Sequence, residues 1–119
     1  MGVSPDDGDV EAGWLADKVA NLRIFPDDDG KMNRSLVEVR GDALVVSQFT
    51  LYGDARKGRR PSFIRAAEGP GARAAYEKAV ELLRGQGIAT ATGEFGAMMQ
   101  VSLVNDGPVT ILLESEKAF

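Results

Sequence analysis

The chain has no cysteine and no histidine among its 119 residues. The first absence excludes disulfide stapling and thiolate metal sites, and the second excludes imidazole ligands and the Ser-His-Asp and Cys-His nucleophile systems. An enzyme built from this sequence has to move protons with carboxylates, lysine, tyrosine, backbone groups or the substrate itself. Long apolar runs are missing too. None approaches the ~20 residues of a membrane span, and Met1-Gly2-Val3-Ser4-Pro5-Asp6 lacks the basic and apolar regions of a signal peptide. The sequence reads as a cytoplasmic chain with no membrane partner, no metal and no other cofactor.

What is present is ordinary for a globular protein. Hydrophobic residues make up 44% and charged residues 27%, enough of each for one modest core in one domain spanning residues 1–119. The net charge of −4 speaks against bulk attraction to nucleic acid. Its distribution speaks the other way. Arg56, Lys57, Arg59, Arg60 and Arg65 fall within ten residues that contain no acid, while acids gather at Asp6, Asp7, Asp9 and Glu11 and again at Asp27–Asp29. A local basic patch on an acidic body can hold a phosphate backbone, and a solvated arginine-rich loop is the plainer alternative.

Periodicity supplies the elements. Asp9 caps a helix whose apolar positions are Val10, Trp14, Leu15, Val19 and Leu22. Pro26 and Asp27-Asp28-Asp29-Gly30 end it in a turn. Ser35–Val39 and Ala43–Leu51 have strand composition, with Arg40-Gly41-Asp42 as a hairpin loop between them. Residues 52–71 read as a long loop carrying the basic cluster. A second helix runs from about Pro70 to Gly85, with Pro in its first turn and glycines stopping it. Ile88–Thr92, Met99–Val104 and Val109–Glu114 read as strands, and Glu116–Phe119 as a frayed tail. The expected fold is an α+β domain, an antiparallel β-rich barrel-like sheet with two helices packed on one side.

Two segments stand out chemically. At Ser47-Gln48-Phe49-Thr50-Leu51 a hydrophobic strand gives way to polar side chains, which is where ligand donors sit and also where strand-end caps sit. Asn105-Asp106-Gly107-Pro108-Val109-Thr110 is a tight connection in which Pro restricts the residue before it. Between them lie Arg56-Lys57-Gly58-Arg59-Arg60-Pro61-Ser62-Phe63 and Phe95-Gly96-Ala97-Met98-Met99-Gln100-Val101. Order and spacing of these four motifs, from about Val3 to Ser115, resemble the D-aminoacyl-tRNA deacylases.

The resemblance implies a homodimeric hydrolase acting on aminoacylated tRNA. Its members cleave the ester joining a D-amino acid, or glycine mischarged on tRNA-Ala, to the tRNA 3′ end. Residue by residue, it implies that Ser47, Gln48, Phe49 and Thr50 line the catalytic pocket. Phe95, Gly96, Ala97 and Met99 would wall the adenine. Gly107 and Pro108, joined by a cis bond, would enter the partner subunit's pocket as a chiral filter. Arg56, Lys57, Arg59 and Arg60 would meet tRNA phosphates. Thr50 as a nucleophile ranks below catalysis by backbone donors and the tRNA 2′-hydroxyl. Family members carry two strands and a tight turn before the point where Gly2-Val3-Ser4-Pro5 stands here. The resemblance therefore implies missing N-terminal strands and weak turnover, with an inactive truncated homologue or a tRNA-binding module without turnover as the alternatives.

Overall fold

The computed structural model describes residues 1–118. Phe119, and with it the end of the expected tail, lies outside the described residues. The element order is α1 (Asp9–Asn21), β1 (Phe25–Pro26), β2 (Met32–Arg34), α2 (Leu36–Val39), β3 (Ala43–Val45), a 3-10 turn (Phe49–Tyr52), α3 (Gly69–Gly85) and β4 (Thr90–Thr92). The fold is mixed α/β, with three α-helices and two small sheets.

The helix α1 starts at Asp9, the expected cap, so the cap itself falls one residue earlier. That cap, Gly8, donates its N–H to Glu11 Oε2 at 2.8 Å, so the acid three residues on satisfies a group the helix start leaves free. Its buried face is also not the expected stripe. Ala12, Ala16 and Ala20 are buried while Val10 is 80% exposed. Small side chains let α1 lie close against α3, which presents Ala72, Ala75, Tyr76, Ala79, Val80 and Leu83. Ala16, Ala20, Leu36, Leu83 and Ile88 make the main core, with Phe25, Ala43 and Val45 packed onto it.

The largest correction falls at Ser35–Val39, expected as a strand and found as the short helix α2. Ser35 Oγ accepts from Glu38 N at 3.2 Å, and Glu38 Oε1 accepts from Ser35 N at 3.3 Å. This reciprocal cap outweighs the strand preference of Val37 and Val39. Arg40 then takes a left-handed conformation (φ 54°) and closes the helix instead of turning a hairpin.

Sheet structure is sparser than expected, and the barrel-like antiparallel sheet is not found among the described residues. β1 and β2 pair antiparallel, whereas β3 and β4 pair parallel, Ala43 opposite Thr90. Gly93 N continues that ladder by donating to Val45 O at 3.1 Å. The expected strands Met99–Val104 and Val109–Glu114 form no ladder, and the strand from Ala43 stops at Val45. Of the described helices, none is long and apolar enough to cross a membrane.

Candidate functional site

A cavity of about 590 Å³ opens between the end of β3, the start of α3 and the chain leaving β4. One wall is Ser47, Gln48, Phe49 and Thr50, and the facing wall is Phe95, Gly96, Ala97 and Met99. These eight residues, singled out from two motifs more than forty positions apart, surround one space. Ser47 Oγ ties the walls together by accepting the Gly96 N–H at 3.3 Å. Gly93 sets the approach of the second wall. A Cβ there would lie 2.7 Å from Met99 Sδ, so a larger residue would push the flexible Met99 side chain aside.

The local conformation at Ser47–Thr50 differs from a strand end. The chain breaks out of β3 and coils into the 3-10 turn, with Leu51 N donating to Gln48 O at 3.3 Å and Gly53 N to Thr50 O at 3.0 Å. The turn's first N–H groups have no acceptor inside it. Residues 1–3 run beside this segment: the Met1 amine donates to Val46 O at 2.6 Å, and Gln48 N donates to Met1 O at 2.8 Å. Burial lowers the pKa of that amine. Val3, Ala72 and Ala75, joined by Ala67 and Phe95, form the apolar floor.

Titratable side chains are scarce here. Among the described lining residues Glu68 is the only one, and it is exposed at the rim where α3 begins. The Thr50 hydroxyl is hydrogen-bonded by the Gln48 side-chain amide. An amide takes no proton at neutral pH, so Thr50 has no base beside it and the nucleophile role finds no support in the geometry.

Phe63, Ala66 and Ala67 also line the cavity and were not singled out from the sequence. Phe63 meets Phe49 edge-to-face, ring centroids 5.2 Å apart. The readable signal was an aromatic three residues after a basic run. Tyr76, on the buried face of α3, donates its hydroxyl to Val45 O at 2.8 Å, and its ring lies 5.4 Å from that of Phe95. It fixes the strand end against the wall.

The basic loop hangs outside the cavity, closed at its base by an antiparallel bridge between Asp54 and Ser62. Arg56 is not a free cation. Its Nε and Nη2 donate to the two Asp54 carboxylate oxygens at 2.9 and 2.7 Å, and these bonds hold the Asp54 carboxyl at a pKa of about 2. Lys57, Arg59 and Arg60 make no salt bridge among the described residues.

Gly107 and Pro108 stand apart from the cavity. Their peptide bond is cis, as the resemblance implied, and both residues lie on the exterior. Asn105 shapes this turn: its Oδ1 accepts Val109 N at 2.9 Å and its Nδ2 donates to Thr110 Oγ1 at 3.3 Å. Gly107 has φ 133°, and a Cβ there would meet Val109 at 3.0 Å. On both sides of the turn Val101, Leu103, Val104, Ile111 and Leu112 are exposed, Leu103 at 72% and Val104 at 89%.

Comparison with known proteins gives consistent matches. The family model described as D-Tyr-tRNA(Tyr) deacylase matches residues 1–114. The D-aminoacyl-tRNA deacylase of Thermotoga petrophila is 59% identical over 119 residues, covering all of this chain and 80% of that protein. That of Desulfatibacillum aliphaticivorans is 60% identical over 116 residues, covering 98% and 80%. Among solved structures, the c-Myc DNA Unwinding Element Binding Protein superposes with a TM-score of 0.87 at 39% identity, covering 97% of this chain and 78% of that one. A probable eukaryotic D-amino acid tRNA deacylase shares the fold at a TM-score of 0.65 and 18% identity, covering 82% and 72%.

Proposed function

The chain belongs to the D-Tyr-tRNA(Tyr) deacylase family, and from that membership we propose that it hydrolyses the ester joining a D-amino acid to the 3′-terminal adenosine of tRNA. Glycine mischarged on tRNA-Ala is the second substrate of this reading, and the cytoplasm its place of action. The two D-aminoacyl-tRNA deacylases from Thermotoga petrophila and Desulfatibacillum aliphaticivorans are hydrolases by their names, and the activity serves chiral proofreading in translation. One observation carries the assignment to a site. Ser47–Thr50 and Phe95–Met99 wall a single cavity that, among the described residues, holds no ionisable side chain except Glu68 at its rim.

That chemistry suits an ester whose leaving group brings its own hydroxyl. In the proposed reaction the adenine stacks on Phe95 beside Gly96, Ala97 and Met99. The ester carbonyl sits over the start of the 3-10 turn, whose unpaired N–H groups meet the developing oxyanion. Water attacks the carbonyl carbon, the neighbouring 2′-hydroxyl relays the proton to the departing 3′-oxygen, and the free amino acid leaves. Ser47 holds the two walls in register through Gly96, and Gln48 and Thr50 fix each other.

The exposed Gly107-Pro108 turn does not line its own chain's cavity, which supports a role in trans. In this reading the chain acts as one domain, residues 1–119, in a homodimer where Gly107 and Pro108 of each copy enter the other's pocket and exclude an L side chain. The apolar residues beside the turn supply the contact. Lys57, Arg59 and Arg60, with Arg56 once released from Asp54, meet phosphates of the acceptor arm.

Turnover separates this reading from a tRNA-binding module. Continuous release of D-tyrosine from D-tyrosyl-tRNA by the purified protein supports it. Salt-dependent tRNA binding with no release would leave the module.

A further inference from the structure

A second groove, of about 540 Å³, runs along α3 from the back of the Phe95 wall. We propose that it is the subsite for the two cytidines that precede the terminal adenosine in the common CCA end of tRNA. The proposal rests on the reading of the main cavity as the adenosine site, and extends it to neighbouring nucleotides.

Three features support it. The groove adjoins the cavity across the Phe95 side chain, which lines both. A strand whose last base lies on one side of that ring has its next phosphate directed over the rim beside it. Arg73 occupies that rim, its guanidinium 5.7 Å from the Phe95 ring centroid. The second feature is the far end. Arg84 lies eleven residues further along the same helix and anchors its Nη2 on Thr90 O at 2.9 Å. Eleven residues of helix span roughly 16 Å, more than the ~7 Å of two stacked nucleotide steps. Arg73 is therefore placed for the phosphate next to the adenosine, and Arg84 for one about two nucleotides further on in an extended strand.

The third feature is what lies between them. Glu77, Glu81 and Glu94 line the groove. Glu77 accepts from Arg73 at 3.1 Å, Glu81 lies 3.9 Å from Lys78, and Glu94 makes no salt bridge among the described residues. Carboxylates repel phosphate but accept the exocyclic N4 amine of cytosine. An alternation of guanidinium and carboxylate fits an alternation of phosphate and cytosine, whereas a purely electrostatic track would be basic throughout.

The test uses hydrolysis-resistant amide analogues and the whole chain. One is D-tyrosylamino-adenosine, and the other carries the same end on CpCpA bearing a 5′-phosphate. The trinucleotide should bind about tenfold tighter or better, from one stacked base and the phosphate contacts. Arg84→Ala should remove most of that advantage and leave the mononucleotide analogue's affinity unchanged. A UpUpA version, which offers a carbonyl in place of each cytosine amine, should lose several-fold on the unmodified protein, so the result does not depend on any variant folding. Equal affinity for the mononucleotide and CpCpA analogues overturns the subsite alone. A CpCpA advantage untouched by Arg84→Ala, or matched by UpUpA, overturns it as well. Binding of neither analogue overturns the adenosine reading of the main cavity and the subsite with it.

Discussion

At the scale of single residues the site is defined by what it does without. A cavity built from hydroxyls, an amide, backbone groups and aromatic rings has one candidate side-chain base among the described residues, Glu68, and Glu68 sits in solvent at the rim. If it were the general base, Glu68→Gln would cost about 10²–10⁴ in rate. The backbone and 2′-hydroxyl account expects release of D-tyrosine within a few-fold of the parent protein, measured under single-turnover conditions. Asp54 sets a second expectation. Its bonds from Arg56 depress the carboxyl to about 2, so the clasp is complete above the ordinary carboxylate range and opens only as pH falls through about 2. Across pH 5–8 the salt dependence of tRNA binding should therefore be flat with pH. Asp54→Asn frees Arg56, and one added phosphate contact should steepen the slope of log affinity against log salt by roughly 0.7–0.9. A slope unchanged in the variant would take Arg56 out of the tRNA interface.

At the scale of elements, the helix pair α1 and α3 is the frame on which the cavity stands, and alanines set its spacing. Ala16 is 1% exposed. Ala16→Leu adds volume where none is free and should cost about 1–3 kcal/mol in urea denaturation. A neutral outcome would mean that α1 and α3 can part without consequence. The α3 boundaries were legible because Pro70, the apolar face and Gly85-Gln86-Gly87 all agree. The buried face of α1 was not. Periodicity weighs Val10 and Trp14 above alanine, yet close helix approach is what buries Ala12, Ala16 and Ala20. At Ser35 two local signals conflicted, β-branched composition against a Ser-x-x-Glu cap, and the cap prevailed. Strands expected at Met99–Val104 and Val109–Glu114 have the right composition but no neighbouring strand among the described residues. Composition reports what a segment prefers and not whether a partner is there. The cavity walls were legible because polar residues ending an apolar run, and the Phe-Gly-Ala-Met segment, carry specific motifs. Phe63 and the alanine floor were missed because small and apolar lining residues resemble core.

At the scale of the whole molecule, the proposed reading pairs two copies. Leu103, Val104 and Leu112 expose an apolar face beside the Gly107-Pro108 turn that a solitary soluble chain rarely carries. The protein should sediment at twice the chain mass, and Leu103→Asp should shift it toward one. A parent protein that sediments as one chain at every concentration would remove the trans filter. The filter has a sharper consequence. A turn that enters a neighbour's pocket and leaves no room for an L side chain makes the enzyme blind to side-chain identity but strict about handedness. The direct measurement is the ratio of release rates from D-tyrosyl-tRNA and L-tyrosyl-tRNA at equal enzyme concentration, corrected for release in buffer. The account gives a ratio of about 10² or more, as expected when the wrong enantiomer is rejected by a backbone clash worth about 3 kcal/mol or more. Equal release of the two enantiomers, or release of neither above buffer, would contradict it.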